Sequence, residues 1–365
     1  MLQKALMLLL IFTGAIACVS CGKAGNHYIY AAIPATSQLA VFREDPYSGV
    51  LTQLSESPYP VGSGAQTVVL HPSGKYLYVA NPGQGENDIS LFDINSDGTV
   101  NEITPRTPAG GNLPFQLAMD PGGSYLYVAN VLSNNISVFS ITASTGALAQ
   151  VGVALPINLS PNNMQISPSG NFLYVSGPGQ PGKIEVFSLS AGVLTQIGVT
   201  PTADNTPAGL AIDPGGSYLY AANPSANSIS IYCIVPAPCT SGAVGPSGTL
   251  QQVPQSPLAD ADQHPVALIL NSTGSYLFVA NQGSNNVSTY SITSGTGFPV
   301  AVTDSPFATE AQPSFLAIDP NGKYLYVGNQ SGGAGIEAFG VADGSLNTIA
   351  TYAVGNSPTS IAVLQ

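Results

Sequence analysis

The hexapeptide Tyr-Leu-Tyr-Val-Ala-Asn at Tyr76–Asn81 recurs along this 365-residue chain and decides its fold. The same six residues stand at Tyr125–Asn130, and a weaker copy occupies residues 28–33. Close variants fill four further stretches: Phe172–Gly177, Tyr218–Asn223, Tyr276–Asn281 and residues 324–329. Successive copies start 46 to 58 residues apart. A period of that size is typical of the blades of a propeller.

Each repeat predicts one blade of four short antiparallel strands joined by turns. The innermost strands are expected at 66–70, 115–119, 163–166, 208–212, 266–270, 314–318 and 359–363. The chain starts in the second strand of a blade and ends in a first strand, so its last residues should complete the first blade and close the ring. We therefore predict an all-β, seven-bladed β-propeller formed by one domain, residues 27–365.

The first 26 residues differ in kind from the repeats. Lys4 precedes an apolar run at 5–16, and small residues lead to Cys18 and Cys21. This pattern is typical of a lipoprotein signal peptide over residues 1–21, followed by a short linker at 22–26. Cys21 is the preferred lipidation site and Cys18 the second choice, while ordinary cleavage after Ala17 stays open. We expect an exported protein, lipid-anchored at the bacterial cell envelope.

Two further cysteines, Cys233 and Cys239, lie in the longest repeat. In an exported chain this pair predicts a disulfide that closes an inserted loop. A metal or redox pair is the weaker alternative, because no second cysteine pair or nearby histidine completes a site.

The chain carries 19 acidic and seven basic residues, a formal net charge of −12. No basic patch is available to meet a phosphate backbone, which excludes nucleic acid as a partner. The absence of tryptophan argues against propellers built on Trp-Asp repeats.

The asparagines that end the repeated hexapeptide, such as Asn81 and Asn130, recur whatever their neighbours are. We interpret them as turn residues that bond locally, with a ring of ligand-binding amides as the alternative. The tyrosines of the same hexapeptide are expected in the core between blades.

The stretches DPGGSYLYVAN at 120–130 and NISVF at 135–139 resemble the lactonase-type seven-bladed propellers, which include 6-phosphogluconolactonases and carboxy-muconate cycloisomerase. The resemblance spans the mature chain and implies hydrolysis of a lactone. It also implies charged residues at the start of the inner strands: a His, an Arg-His pair, and a Glu followed by a His. At the corresponding positions this chain carries only uncharged residues: Asn162, Ala208, Gly209, Ala267 and Ile269.

Acidic residues gather in the loops before three inner strands. Asp204, Asp262 and Glu310 each stand three residues before a proline, and Asp260 and His264 lie beside them. Oxygen ligands from several loops suit calcium, so Asp204, Asp260, Asp262 and Glu310 are candidate metal ligands. Solvated loop carboxylates are the alternative. No cofactor beyond such a divalent cation is expected.

Ligands of propellers bind where loops converge at a mouth of the channel. The candidate ligand-binding residues there are Gln116, Asn162, Asn163, Asp204, Asp262, His264, Glu310 and Gln312. The uncharged inner-strand positions favour a binding module for a sugar-related ligand or an envelope protein. A lactone hydrolase with a non-standard, metal-assisted site is the first alternative, and a structural or adhesive protein is the second. We expect a monomer.

Overall fold

The computed structural model describes residues 27–83, 85–202, 204–237, 245–259, 262–331 and 335–364. They form seven antiparallel sheets that follow one another along the chain. The helical structure in this part of the chain includes a 3-10 turn at Pro34–Thr36. None of it is long and apolar enough to cross a membrane. The all-β prediction is confirmed.

The strands of blades 1 to 3 lie at β1 His27–Ile33, β2 Gln38–Glu44, β3 Leu51–Gln53, β4 Tyr59–Pro60, β5 Thr67–Leu70, β6 Tyr76–Asn81, β7 Asp88–Ile94, β8 Val100–Pro108, β9 Pro114–Met119, β10 Tyr125–Asn130, β11 Asn135–Ile141, β12 Leu148–Gln150 and β13 Leu155–Pro156. Those of blades 4 and 5 lie at β14 Asn163–Ile166, β15 Phe172–Gly177, β16 Lys183–Ser190, β17 Val193–Pro201, β18 Leu210–Ile212, β19 Tyr218–Asn223, β20 Ser228–Ile234, β21 Leu250–Gln252 and β22 Leu258–Ala259. Those of blades 6 and 7 lie at β23 Pro265–Leu270, β24 Tyr276–Asn281, β25 Asn286–Ile292, β26 Pro299–Ala301, β27 Phe307–Ala308, β28 Ala311–Ile318, β29 Tyr324–Ser331, β30 Gly335–Ala342 and β31 Ser345–Ala353. The last strand is β32, Ser360–Leu364.

The ring closes as predicted. Strand β32 pairs antiparallel with β1, from Tyr28 opposite Leu364 to Ala32 opposite Ser360. The end of the chain therefore supplies the inner strand of blade 1. The seven inner strands (β5, β9, β14, β18, β23, β28 and β32) contact one another in sequence and around to the start.

The outer strand is continuous in blades 2, 4 and 7 and broken in the other four, where both pieces pair with the same third strand. A serine hydroxyl fills the break in three of them. Ser57 Oγ accepts the Val41 N–H at 2.8 Å, and Ser256 and Ser305 do the same in blades 5 and 6. These three blades thus keep four layers of strands, with a side chain in place of one backbone acceptor.

Tyrosines of the second strand join neighbouring blades. Tyr220 is fully buried, and its hydroxyl donates to the Gly297 carbonyl of the next blade at 2.8 Å. Tyr30, Tyr78 and Tyr174 make the equivalent bond at 2.7–3.0 Å. Burial of an aromatic ring and satisfaction of its hydroxyl together stabilise each blade contact. The prediction that these rings belong to the core is confirmed.

The asparagines that end the second strand are fully buried and bond to the start of the third strand. Asn281 Nδ2 donates to Asn286 Oδ1 at 2.9 Å and to Ser288 Oγ at 2.7 Å. Asn130 repeats this pattern in blade 3, where its Nδ2 donates to Asn135 Oδ1 and Ser137 Oγ. The partners are side chains rather than the backbone groups that we expected, but the local structural role is confirmed.

A buried carboxylate lies between blades 1 and 7. Glu44 is 1% exposed, and its Oε2 lies 3.5 Å from Nδ1 of His27. Burial, followed by the nearby Asp319 carboxylate, raises the pKa of Glu44 to about 7, although the hydroxyl of Tyr326 lowers it. The charge of this buried carboxyl group therefore changes with pH near neutrality.

Candidate functional site

The inner strands surround a cavity of about 720 Å³ on the axis of the ring. This volume falls in the range of roughly 300–1,000 Å³ that small-molecule sites occupy. The residues that line it, all in the described part of the chain, include no Asp, Glu, His, Lys or Arg. The site therefore offers hydrogen bonds and apolar contact rather than fixed charge.

Amides and a hydroxyl lie on one side of the cavity, at the start of β5 and β9 and along β14. We call this side the polar wall, which consists of Gln66, Thr67, Gln116, Asn162, Asn163 and Gln165. Two of these side chains bond to the next blade. Thr67 Oγ1 donates to the Phe115 carbonyl at 2.6 Å, and Asn162 Nδ2 donates to the Pro207 carbonyl at 2.9 Å. Both side chains are thereby held in place at the mouth of the cavity.

Gln282, in the loop after β24, and Gln330, near the end of β29, extend the mouth of the cavity on the side of blades 6 and 7. Gln282 Nε2 donates to Gln330 Oε1 at 3.0 Å. Both residues line the cavity. The pair links the two blades and places amide groups opposite the polar wall.

Aliphatic and aromatic residues cover the side of the cavity formed by β18, β23 and β28. We call this side the apolar wall, which consists of the lining stretches 208–212, 266–270 and 315–318. Ile212, Ile269, Phe315 and Ile318 are only partly buried, so they present apolar surface to the cavity. The innermost strands of these three blades carry no polar side chain in those stretches. Ser314, which precedes the third stretch and also lines the cavity, donates its hydroxyl to the Gly328 carbonyl at 3.2 Å.

Gly209 occupies the position at which the family resemblance implies a histidine. Its N–H donates to the Val266 carbonyl of the next blade at 2.9 Å. A Cβ atom there would lie 2.8 Å from Val266 O and 3.0 Å from Ala267 Cα. Both neighbours are backbone atoms and cannot rotate away, so a side chain at this position would require blades 5 and 6 to move apart.

The structure brings only part of the predicted ligand site together. Gln116, Asn162 and Asn163 line the cavity, as do the uncharged positions Ala208 and Ala267. The lining does not include the other five candidates: Asp204, Asp262, His264, Glu310 and Gln312.

Asp204 is a buried acceptor for backbone amides. It is 4% exposed, and it accepts the N–H groups of Thr206 at 3.2 Å, Ser225 at 2.5 Å and Ala226 at 3.2 Å. Its carboxylate thus holds the loop after β19 against the preceding blade, which is a structural task.

Asp262 supports the asparagine network of blade 6. Its Oδ1 accepts Nδ2 of Asn286 at 2.7 Å, and its Oδ2 accepts the hydroxyl of Ser288 at 3.0 Å. These are the same two residues that bond Asn281. The carboxylate is therefore occupied within its own blade.

His264 and Gln312 are exposed and share a backbone arrangement. Each precedes a proline and has a positive φ, 60° and 56° respectively. The His264 N–H donates to Asn227 Oδ1 at 2.9 Å, and the Gln312 N–H donates to Asn285 Oδ1 at 2.8 Å. These bonds join loops of neighbouring blades and do not bring the side chains of His264 and Gln312 together in one site.

Glu310 is exposed, and its N–H donates to the buried Glu337 Oε2 at 3.0 Å. Across the described ranges, no group of three or more His, Cys, Asp or Glu residues is placed to hold a metal ion. Asp204, Asp262 and Glu310 therefore do not assemble the calcium site that their spacing predicted. Asp260, the fourth candidate, lies outside the described residues.

Other predictions fall on residues that are not described. These are the signal peptide and linker at 1–26, including Cys18 and Cys21, and the cysteine Cys239. Its predicted partner Cys233 is buried in β20. The lipid anchor and the disulfide stay predictions.

Sequence reasoning missed Gln66, Thr67, Gln165, Gln282 and Gln330, all of which line the cavity. The sequence contained a pattern that could have identified four of these five residues. Gln66 and Thr67 occupy the same strand positions as Phe115 and Gln116, and each of Gln282 and Gln330 directly follows the asparagine that ends the repeated hexapeptide.

The family model for lactonases of the seven-bladed β-propeller type matches residues 23–162 and 157–258. The 6-phosphogluconolactonase of Serratia proteamaculans is 26% identical over 346 residues, which cover 92% of this chain and 98% of that protein. The 6-phosphogluconolactonase of Formosa agariphila is 37% identical over 89 residues, 24% of this chain and 25% of that protein. The chain thus spans between a quarter and about half of the first curated relatives that it matches.

Solved structures share the fold at low sequence identity. The periplasmic gluconolactonase of Pseudomonas aeruginosa superposes with a TM-score of 0.77 at 20% identity and covers 93% of this chain and 99% of its own. A hydrazine synthase of Kuenenia stuttgartiensis also superposes, with a TM-score of 0.62 at 18% identity, over 86% of this chain and 95% of its own. The fold thus hosts unrelated chemistries. The family model, which covers more than half of the chain, together with the closed seven-bladed ring, shows that this chain belongs to the lactonase family of seven-bladed β-propellers.

Proposed function

We propose that this protein hydrolyses lactones of the sugar-acid type and binds them in the central cavity. The observation that carries the proposal is a cavity of about 720 Å³, lined by amides on one side, in a chain of the lactonase family. The curated relatives are described as 6-phosphogluconolactonases and one solved neighbour as a gluconolactonase. These findings favour the hydrolase over the binding module that the sequence led us to prefer.

The reaction adds water to the lactone carbonyl. The water oxygen bonds to the carbonyl carbon, the ring C–O bond breaks, and the released alkoxide takes a proton from the same water, which yields the open hydroxy acid. Negative charge develops on the carbonyl oxygen in the transition state. Amide N–H groups of Gln66 and Gln116 can donate to that oxygen, as asparagine and glutamine do in oxyanion holes.

The cavity provides no general base or cation. Because its described lining has no carboxylate, imidazole, ammonium or guanidinium group, catalysis would rest on positioning and on oxyanion stabilisation alone. The five basic residues in the described part of the chain (Arg43, Lys75, Arg106, Lys183 and Lys323) are also absent from the lining. A phosphate group would find no counter-charge there, so the substrate should be uncharged.

The test is to follow acid release from glucono-δ-lactone and from its 6-phosphate above their spontaneous rates. We expect turnover of the neutral lactone and at least about tenfold lower kcat/KM for the phosphorylated one, which corresponds to the loss of about 1.4 kcal/mol. A double variant, Gln66→Leu with Gln116→Leu, should lose most of the activity. The matched control is Gln150→Leu, which changes an exposed glutamine outside the cavity. Equal activity of both variants would refute the assignment of the cavity.

A second candidate function is binding of a sugar lactone without turnover, and the absence of ionisable groups from the described lining favours it. A rise in thermal stability with glucono-δ-lactone or gluconate, without acceleration of ring opening, would support this candidate. Any turnover that disappears in the double variant would exclude it.

We further propose that the protein is a monomer, exported and lipid-anchored at the bacterial envelope, with a disulfide between Cys233 and Cys239. The sequence of residues 1–26 supports the location. Replacement of Cys21 by Ser should release the protein from the membrane fraction. Retention in that fraction after replacement of both Cys18 and Cys21 would refute the lipid anchor.

A further inference from the structure

We infer that the substrate of this cavity is an amphipathic lactone, in which an apolar substituent accompanies the polar ester ring. The inference concerns the same cavity and therefore rests on the proposed function. It goes beyond that function because it assigns the chemistry of a second part of the ligand.

The inference is based on a difference in chemistry between the two sides of the cavity. The polar wall, from Gln66 to Gln165, is rich in amides, whereas the apolar wall at 208–212, 266–270 and 315–318 has no polar side chain. The repeats have closely similar sequences in their second strands, so the difference does not follow from the scaffold. It is confined to the first strand of each blade.

The apolar wall has surface available for a ligand. Ile212, Ile269 and Ile318 pack against the core between blades but are only partly buried. Phe315 adds an aromatic ring close to the mouth. Each methylene of a ligand that leaves water for such a wall contributes a favourable free energy equivalent to about a fourfold gain in affinity.

The polar wall limits where the ester can lie. Hydrogen-bond donors for the carbonyl oxygen are available from Gln66, Gln116 and Asn162. On the opposite side, the lining side chains Gln282 and Ser314 already donate to Gln330 and to the Gly328 carbonyl. An ester ring on the polar wall therefore directs a substituent on the opposite ring edge towards the apolar wall. A charged group on the ligand, such as a phosphate, would leave the apolar wall unmatched and would be buried there without a partner.

The first experiment compares two δ-lactones that differ only in their substituent, methyl or pentyl. We expect kcat/KM to rise by at least about tenfold from methyl to pentyl, because further methylenes enter the apolar wall. The variant Ile269→Thr should reduce this ratio, because it removes apolar surface from the wall. Val300→Thr, which changes an exposed valine of β26, is the matched control.

The second experiment does not depend on turnover. The corresponding δ-lactams resist hydrolysis, and their dissociation constants can be measured by calorimetry. We expect the pentyl lactam to bind at least about tenfold more tightly than the methyl lactam, and Ile269→Thr to reduce that ratio.

The outcomes separate the two proposals. Equal affinity for both lactams would overturn the inference, even if glucono-δ-lactone were hydrolysed. A pentyl preference in binding without hydrolysis of any lactone would support the amphipathic site and overturn the proposed hydrolase. Tighter binding of the pentyl lactam that was unchanged in Ile269→Thr, with the protein folded by circular dichroism, would refute the assigned wall.

Discussion

Replacement of Gly209 by Ala tests why the charged pair implied by the family resemblance is missing from blade 5. The new Cβ would lie 2.8 Å from Val266 O and 3.0 Å from Ala267 Cα, both in the backbone of the neighbouring inner strand. Relief of these contacts requires the two strands to separate by several tenths of an ångström. That movement also lengthens the 2.9 Å bond from the Gly209 N–H to Val266 O.

The expected magnitude follows from these two effects. Overpacking at a rigid site costs about 1–3 kcal/mol. The reduced freedom of the unfolded chain offsets about 0.4–1 kcal/mol of that cost. We therefore expect a net loss of about 1–2 kcal/mol in the free energy of unfolding, measured by urea denaturation with far-UV circular dichroism.

Gly340 in β30 provides the matched control. It too has no positive φ, but a Cβ atom at this position would have its nearest neighbours 3.8 and 4.0 Å away. Gly340→Ala should leave the stability unchanged or slightly higher. If Gly209→Ala unfolded at the same urea concentration as Gly340→Ala, the close approach of blades 5 and 6 would not explain the missing side chains.

Other contacts in the ring lead to four further predictions. Tyr220→Phe removes the buried 2.8 Å bond to Gly297 O and should lower the free energy of unfolding by about 1–2 kcal/mol, whereas Tyr47→Phe, at an 82% exposed position, should not change it. Asp204→Ala leaves three backbone amides without their acceptor and should cost about 1–3 kcal/mol in urea denaturation; a calcium-dependent stabilisation lost in this variant would instead restore the metal hypothesis. The pKa of Glu44 is raised to about 7 in the folded protein, so the folded state binds the proton more tightly than the unfolded state does. The wild type should therefore lose stability relative to Glu44→Gln as pH rises from about 5 to 8, by up to about 3 kcal/mol. Equal dependence of the free energy of unfolding on pH in the two proteins would contradict this. Finally, the described cavity lining has no ionisable group, so a plot of log kcat for lactone hydrolysis against pH should not be bell-shaped between about pH 5 and 8. Two well-defined kinetic pKa values would contradict the proposed site.

The repeated hexapeptide was sufficient to predict the fold, because its period and strand pattern leave few other architectures for the chain. The position of 359–363 also predicted the closure of the ring, which the structure shows one residue later, at Ser360–Leu364. The breaks in the outer strands could not be predicted in the same way. They depend on serine hydroxyls such as Ser57 Oγ, which replace backbone acceptors at a distance of 16 residues along the chain.

The candidate site was predicted only in part. Asn162 and Gln116 line the cavity, as residues at the start of inner strands were expected to do. The acidic loop residues do not line the cavity, and sequence alone does not show which carboxylates are already bonded within the protein. Asp204 bonds to backbone amides and Asp262 to the side chains of Asn286 and Ser288, so neither is available to a ligand on the axis.

The pairing of β32 with β1 constrains how the protein can be synthesised. Strand β1 is made among the first described residues, yet its inner edge stays without a partner until Ser360–Leu364 have been made. An unpaired edge is a template for other strands, so a nascent chain carries this risk throughout elongation. Interrupted translation, or a C-terminal truncation of a few residues, would leave blade 1 open and favour association between chains over closure of the ring.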